Sequence, residues 1–150
     1  MIYTDLTKKC MQIAFDVHFG QVDRGNTPYI CHPLHVADQM DTEIRTATAL
    51  LHDVLEDTEE TPQSLIRQGV PEEVVENVLL LTRDLSEDYA DYIERIASSG
   101  NLDAILVKHA DLCHNLDTSR TEDQTLPDYL LLRYIAAKKR LSEVIPAKEE

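Results

Sequence analysis

Along this chain the apolar residues recur at three- and four-residue steps, and no stretch alternates with period two. Steps of three and four keep side chains on one face of a helix, whereas a half-buried strand needs strict alternation, so the chain can fold only as packed helices. Leu6, Cys10, Ile13, Ala14 and Val17 form the stripe of a first helix behind Thr4 or Asp5, whose side chains suit the cap. Residues 20–29 read as a loop because Gly25, Asn26 and Pro28 favour turns. Pro33 suits the first turn of a helix running to Met40. Further helices are expected over 42–57, 62–69, 71–81, 88–98, 102–118 and 128–144, with Gly69 and Gly100 as stops. The expectation is an all-α bundle of about seven to nine helices, with residues 1–150 as a single domain and 146–150 as a polar tail.

The chain carries 28 acidic and 14 basic residues, for a formal charge of −14. That balance excludes a nucleic-acid polymer or an anionic membrane as the expected partner, since both are held by clustered Lys and Arg. A small phosphorylated nucleotide stays open, because a bound divalent ion can dominate the local field. No window approaches the roughly 18 uninterrupted apolar residues of a membrane span. The N-terminal residues lack the basic start and apolar stretch of a secretory leader. Cys10, Cys31 and Cys113 are odd in number and form no C-x-x-C pair. They read as reduced core thiols of a cytoplasmic protein. Nothing in the sequence sets the oligomeric state.

Chemistry concentrates in Leu50-Leu51-His52-Asp53-Val54-Leu55-Glu56-Asp57. The leucines and Val54 bury one face, so His52 and Asp53 ride on a rigid support of the kind a metal site needs. Glu56 and Asp57 follow one turn later, within reach of a supporting role. Read as the last turn of a long helix, these acids oppose the dipole at some cost, with no structural return in sight. In Lys108-His109-Ala110-Asp111-Leu112-Cys113-His114-Asn115-Leu116-Asp117-Thr118, helical spacing places Lys108, Asp111, Asn115 and Thr118 on one stripe. Leu102, Ile105, Leu106, Cys113 and Leu116 fall roughly opposite.

Of the six histidines, His32 and His52 stand out by context. His32 opens a helix straight after a loop. His18, His35, His109 and His114 read as ordinary core or surface residues. His32, His52, Asp53 and Asp111 make a mixed nitrogen and oxygen set. It suits Mn(II), Fe(II) or Zn(II) better than Mg(II), which prefers oxygen alone. Four ligands leave positions on a six-coordinate ion for water and a substrate oxygen.

Three blocks in this order resemble the HD-superfamily hydrolases of the RelA/SpoT type, and most nearly the small stand-alone alarmone hydrolases. They are Tyr29-Ile30-Cys31-His32-Pro33-Leu34-His35-Val36-Ala37, the run His52 to Thr58, and Lys108 to Asn115; with their flanks they span 14–118. The resemblance implies an HD-domain helical bundle and a Mn(II)-dependent 3′-pyrophosphohydrolase of guanosine tetra- and pentaphosphate. It implies metal ligation by His32, His52, Asp53 and Asp111, and activation of water by Glu56 and Asp57. It implies substrate binding by Arg24, Lys108, Asn115 and Thr118.

At three places where the family commonly carries a basic residue this chain has Asp23, Leu112 and Asp117. A nucleotide region poor in cations is therefore expected. Two other readings stay open beside the alarmone hydrolase. One is a related HD phosphohydrolase of a different nucleotide, such as a nucleoside monophosphate or an NADPH-like dinucleotide. The other is a non-catalytic module that keeps the fold and holds a nucleotide; loss of a metal ligand or acid would be its signature, and none is lost.

Overall fold

A computed structural model describes residues 1–147; the last three residues of the expected tail, Lys148 to Glu150, lie outside it. Among the described residues there are nine α-helices and no sheet. They are α1 (Asp5–Val17), α2 (Cys31–Asp38), α3 (Glu43–Leu51), α4 (Val54–Asp57), α5 (Pro62–Arg67), α6 (Glu72–Leu80), α7 (Tyr89–Ala97), α8 (Leu102–Asn115) and α9 (Asp128–Ser142). A 3-10 turn, Thr118–Arg120, follows α8. The all-α expectation holds.

Local chemistry explains most of the boundaries. Thr4 caps α1 by accepting from the Thr7 amide, and the Thr7 hydroxyl accepts from the Thr4 amide in return. Thr61 and Ser64 make the same reciprocal pair at the start of α5, where Pro62 fills the position that needs no amide donor. Thr42, Asp88 and Asn101 cap α3, α7 and α8. Gly69 ends α5 with φ at +91°, a conformation a β-carbon disfavours.

The middle of the molecule is α3, which packs against α1, α2, α6 and α8. Its residues Thr46 to Leu51 are all buried, so it is enclosed rather than one-sided. Ala47 and Ala49 let neighbouring backbones come close, and Leu50 and Leu51 fill the remaining space. Truncating either leucine to alanine costs about 2–5 kcal/mol, transfer and cavity terms together. A buried polar chain ties the surrounding helices to this core. Asn101 Nδ2 donates to Asn77 Oδ1 at 2.7 Å, and Asn77 Nδ2 donates to Thr48 Oγ1 at 3.2 Å. α9 closes the bundle against α7 and α8.

Two expected helices end early, and both breaks bear on the site. The 42–57 helix stops at Leu51 and restarts at Val54, with Asp53 at φ −103° and ψ 0° between them. Glu56 and Asp57 therefore lie in the first turn of α4, where the dipole favours acids, rather than at the end of a long helix. The 102–118 helix stops at Asn115, and Thr118 belongs to the 3-10 turn. The cysteine reading holds for Cys10 alone: Cys10 is buried, whereas Cys31 and Cys113 are exposed free thiols. Cys113 thus leaves the packed face assigned to it from helical spacing.

Candidate metal centre and nucleotide cavity

The break after α3 aims two neighbouring side chains at one point. His52 is buried, and its Nδ1 lies 2.6 Å from the Ala49 carbonyl. A carbonyl only accepts, so Nδ1 carries the hydrogen, which leaves Nε2 as the atom where a metal would stand in place of a proton. That Nε2 is buried and makes no hydrogen bond with the described residues, although it lies 3.0 Å from Asp53 Oδ2 and 3.4 Å from Asp111 Oδ1. His32, from α2, places Nε2 2.7 Å from Asp111 Oδ1 and 3.8 Å from Asp53 Oδ2. One donor atom from each of His32, His52, Asp53 and Asp111 falls within 4.8 Å of all the others.

This cluster fits a divalent metal. An ion bound by nitrogen and oxygen at about 2.1 Å has adjacent donors about 3 Å apart, which matches the observed separations. The orphaned Nε2 is the atom that such an ion would satisfy, since a buried polar atom without a partner costs free energy. The electrostatics agree. Burial alone would suppress charge on His52, yet the carboxylates of Asp53 and Asp111 hold its imidazole well above the ordinary range. Burial works the other way on Asp53, but His52 and His32 bring its carboxyl down to about 2. Asp111 is likewise held well below the usual carboxylate range, against its burial, by Lys108, His32 and His52. Two carboxylates thus stay ionised in a buried pocket and draw a compensating positive charge.

Several partners fix these four residues from behind. The Tyr29 hydroxyl donates to Asp53 Oδ2. Lys108 Nζ lies 2.8 Å from Asp111 Oδ2, and Asn115 Nδ2 lies 3.3 Å from Asp111 Oδ1. The His114 ring stacks between His32 and His35, with centroids 5.0 and 3.8 Å away, and its Nδ1 lies 2.7 Å from His32 Nδ1. Burial, with Arg120 and His32 nearby, lowers His114 to about 4, so it faces His32 as a neutral ring.

A cavity of about 600 Å³ opens over the cluster. Every residue singled out in the sequence reaches it or the cluster beneath: Arg24, His32, Asp53, Glu56, Asp57, Lys108, Asp111, Asn115 and Thr118 line the wall, and His52 lies behind Asp53. Glu56 accepts from the Arg83 backbone amide, which orients its carboxyl. The cavity wall and then the Asp53 charge raise the pKa of both Glu56 and Asp57 above the ordinary carboxylate value, the Arg83 amide and Lys108 opposing this at Glu56. Lys108 is engaged with Asp111 and also lies over the Tyr92 ring, 5.2 Å from its centroid, so it is a shared rather than a free cation.

The expected shortage of cations is corrected. Arg83, Arg120 and Arg133 line the cavity beside Arg24 and Lys108. They come from the loop after α6, the 3-10 turn and α9, outside the three motif blocks, and no spacing in the sequence marks them. Leu112, one of the three substituted places, is fully buried in the core, while Asp23 and Asp117 do line the cavity. Asp23 is spoken for: its Oδ2 lies 3.0 Å from Arg120 Nη2. Tyr29, Tyr89, Tyr92 and Tyr134 were also missed as wall residues. Only Tyr29 lay within a quoted block.

The fold and this centre define a helical bundle built around two histidines and two aspartates at the base of a polar cavity. No protein-family model matches the chain. Curated relatives do. The chain is 30% identical over 156 residues to a guanosine-3′,5′-bis(diphosphate) 3′-pyrophosphohydrolase of Borreliella burgdorferi, covering 94% of this chain and 22% of the relative. It is 38% identical over 119 residues to the bifunctional (p)ppGpp synthase/hydrolase SpoT of Escherichia coli, covering 71% of this chain and 17% of the relative. The chain thus spans about a fifth of the length of the curated relatives it matches. A solved structure of a metazoan ortholog of SpoT, described as hydrolysing ppGpp, superposes with a TM-score of 0.77 at 26% identity, over 95% of this chain and 86% of that one. The chain is related to the HD-type proteins of the RelA/SpoT group, and the resemblance carried by its motifs holds. Among the described residues no helix is long and apolar enough to cross a membrane.

Proposed function

We propose that this chain is a metal-dependent hydrolase that removes the 3′-pyrophosphate of (p)ppGpp, with Mn(II) as its ion. The observation that carries this reading is the convergence of His32, His52, Asp53 and Asp111 under a cavity that also holds Glu56 and Asp57. The near-complete overlap with the metazoan ortholog, which is described as hydrolysing ppGpp, supports it. His32, His52, Asp53 and Asp111 hold the ion. Bound there, it supplies Lewis acidity toward a phosphoryl oxygen and acidifies a water. The two imidazoles in the donor set favour Mn(II) over Mg(II).

The chain's own groups do the rest. Glu56 and Asp57, with pKa values raised above the ordinary carboxylate value by burial, take and hold the proton of the attacking water. The Arg83 amide keeps the Glu56 carboxyl aimed during that transfer. The water oxygen bonds to phosphorus and the phosphorus–oxygen bond to the ribose breaks, so pyrophosphate leaves and the ribose oxygen takes up the proton that Glu56 and Asp57 held. Arg24, Lys108, Asn115 and Thr118 line the wall that receives the nucleotide. Lys108 also keeps Asp111 ionised. The exposed free thiols Cys31 and Cys113 suit a reducing compartment such as the cytoplasm.

The deciding experiment is release of pyrophosphate and orthophosphate with Mn(II), scanned over guanosine tetraphosphate, nucleoside monophosphates, nucleoside triphosphates and NADPH. Pyrophosphate from the tetraphosphate is expected. Orthophosphate from another nucleotide alone would keep the centre and change the substrate. Asp23 and Asp117 on the cavity wall favour that second reading. Binding of a nucleotide without release would leave a holding module.

A further inference from the structure

In a chain with twice as many acids as bases, a buried or half-buried arginine without an acid is unusual. Arg45, Arg95, Arg120 and Arg140 all form ion pairs. The other four arginines, Arg24, Arg67, Arg83 and Arg133, form none with a described residue. Arg67 is exposed on α5, and the remaining three line the one cavity that lies over the metal centre. Three of the four arginines without an acid thus gather at this cavity.

Two of them are arranged as a pair. The guanidinium carbon of Arg133 lies 4.7 Å from the centroid of the Tyr89 ring, and that of Arg83 lies 5.5 Å from the same centroid. Both residues are half-buried. Lys108 Nζ is a third cation near this ring, at 6.0 Å, but Asp111 neutralises it. Arg83 makes one long contact, from Nη1 to the Glu87 carbonyl at 3.5 Å, and Arg133 donates no hydrogen bond to a described residue. Holding two like charges against one aromatic ring costs Coulomb energy in a partly desolvated wall, and the ring repays only part of it. The Tyr89 hydroxyl is buried and also lacks a partner. Planar guanidiniums with free donors, next to an unsatisfied hydroxyl, are the groups that phosphate oxygens satisfy.

We propose that Arg83 and Arg133, seated on Tyr89, form an anion subsite for a phosphate group on the nucleotide other than the one that is cleaved. This deepens the proposed function and rests on it for the identity of the nucleotide. The cleaved group sits at the metal cluster. The subsite lies along the same wall toward α7 and α9, so it selects nucleotides phosphorylated at two separate positions. Guanosine tetraphosphate has that form, and a nucleotide with phosphate at one position does not. The subsite also explains how the cavity takes a highly charged substrate although Asp23 and Asp117 lie on its wall.

The test compares kcat/KM for guanosine tetraphosphate and for guanosine 3′-diphosphate, which lacks the 5′ phosphates. It uses Mn(II)-loaded wild type, Arg83→Ala, Arg133→Ala and Arg133→Lys. The preference for the tetraphosphate is expected to fall at least tenfold in each alanine variant, through KM rather than kcat, and to be partly restored by lysine. An unchanged preference in both alanine variants overturns the subsite. Calorimetric titration of the metal-free proteins with inorganic pyrophosphate keeps the inference testable if no nucleotide is hydrolysed. In that case the proposed function fails, and a fivefold or greater loss of pyrophosphate affinity in Arg133→Ala supports the subsite, whereas equal affinity removes it. Circular dichroism and a thermal melt show that each variant is folded.

Discussion

The Asp23 carboxylate meets the Arg120 guanidinium at 3.0 Å across 97 residues of sequence, and the pair ties the two rims of the polar cavity together. Asp23 Oδ1 also accepts from the amides of Gly25 and Thr27, while Arg120 Nη1 donates to the His114 carbonyl. The acidic Asp23 is therefore a latch between the Arg24 loop and the 3-10 turn that follows α8. Either single alanine variant is expected to lose about 1–2 kcal/mol of stability, more than an open surface pair, because both side chains are largely shielded. A double-mutant cycle read by urea denaturation measures the coupling, and a value near zero would show that the latch is ornamental.

That latch has a pH signature. Burial raises the Asp23 carboxyl, but the amides of Thr27 and Gly25 and the Arg120 guanidinium more than offset it, so its pKa lies below the ordinary value. A folded-state pKa below the unfolded one contributes stability above the unfolded value, about 3.9 for aspartate, and that contribution is lost as pH falls through the folded value. Asp23→Asn is expected to flatten the loss of stability below about pH 4. Urea midpoints measured across that range give the slope directly.

Gly25 sets how closely the two rims approach. A β-carbon at this position would sit 2.1 Å from the Arg120 carbonyl oxygen, a backbone atom that cannot swing aside. Gly25→Ala should push the Arg24 loop away from the 3-10 turn and raise KM several-fold while leaving metal content unchanged. Equal KM values in variant and wild type would mean that the loop docks with slack.

Glu56→Gln preserves shape and can still accept from the Arg83 amide, but it cannot hold a proton. Turnover should fall about 10²- to 10⁴-fold, the usual weight of a general base, with full metal occupancy. Metal analysis and single-turnover kinetics on one preparation separate the two effects.

Asp53→Ala removes one donor and leaves His52 Nε2 facing a gap. The variant should stay helical and bind no metal. Full metal stoichiometry in a folded Asp53→Ala protein would exclude the proposed ligand set.

The cysteines give a check that is independent of activity. Burial pushes the Cys10 thiol up to about 12, despite Lys9 nearby. A disulfide reagent at pH 8 should modify Cys31 and Cys113 in the native protein and reach Cys10 only after unfolding. Because the folded pKa exceeds the unfolded value of about 8.5, the neutral thiol adds to stability below that pH, and the contribution declines as pH rises toward the folded value.

The class of fold was readable because helical periodicity is a property of many residues at once. Single misplacements, such as Cys113 on a packed face, did not alter it. The convergence of His32, His52, Asp53 and Asp111 was readable because these residues carry unusual chemistry in a fixed order. The break at His52 and Asp53 was not, since Leu50, Leu51, Val54 and Leu55 keep helical spacing straight through it. The packing of α3 and the demands of the cluster override that local preference. Arg83, Arg120 and Arg133 escaped notice for a different reason. An arginine is ordinary in any surface sequence, and only the folded chain shows which of them face one cavity.

His32 and Asp111 stand 79 residues apart, with His52 and Asp53 between them on another helix junction. No short peptide from this chain holds the whole donor set, and an unfolded chain offers only scattered, independent side chains. Metal capture therefore reports on long-range assembly: it becomes possible only when α2, the α3 junction and α8 have docked. By mass action, an ion at a hundred times its Kd adds about 2.7 kcal/mol to the assembled state. With the ion bound as proposed, metal supply becomes a setting on how much of this protein is folded, as well as on how much of it is loaded.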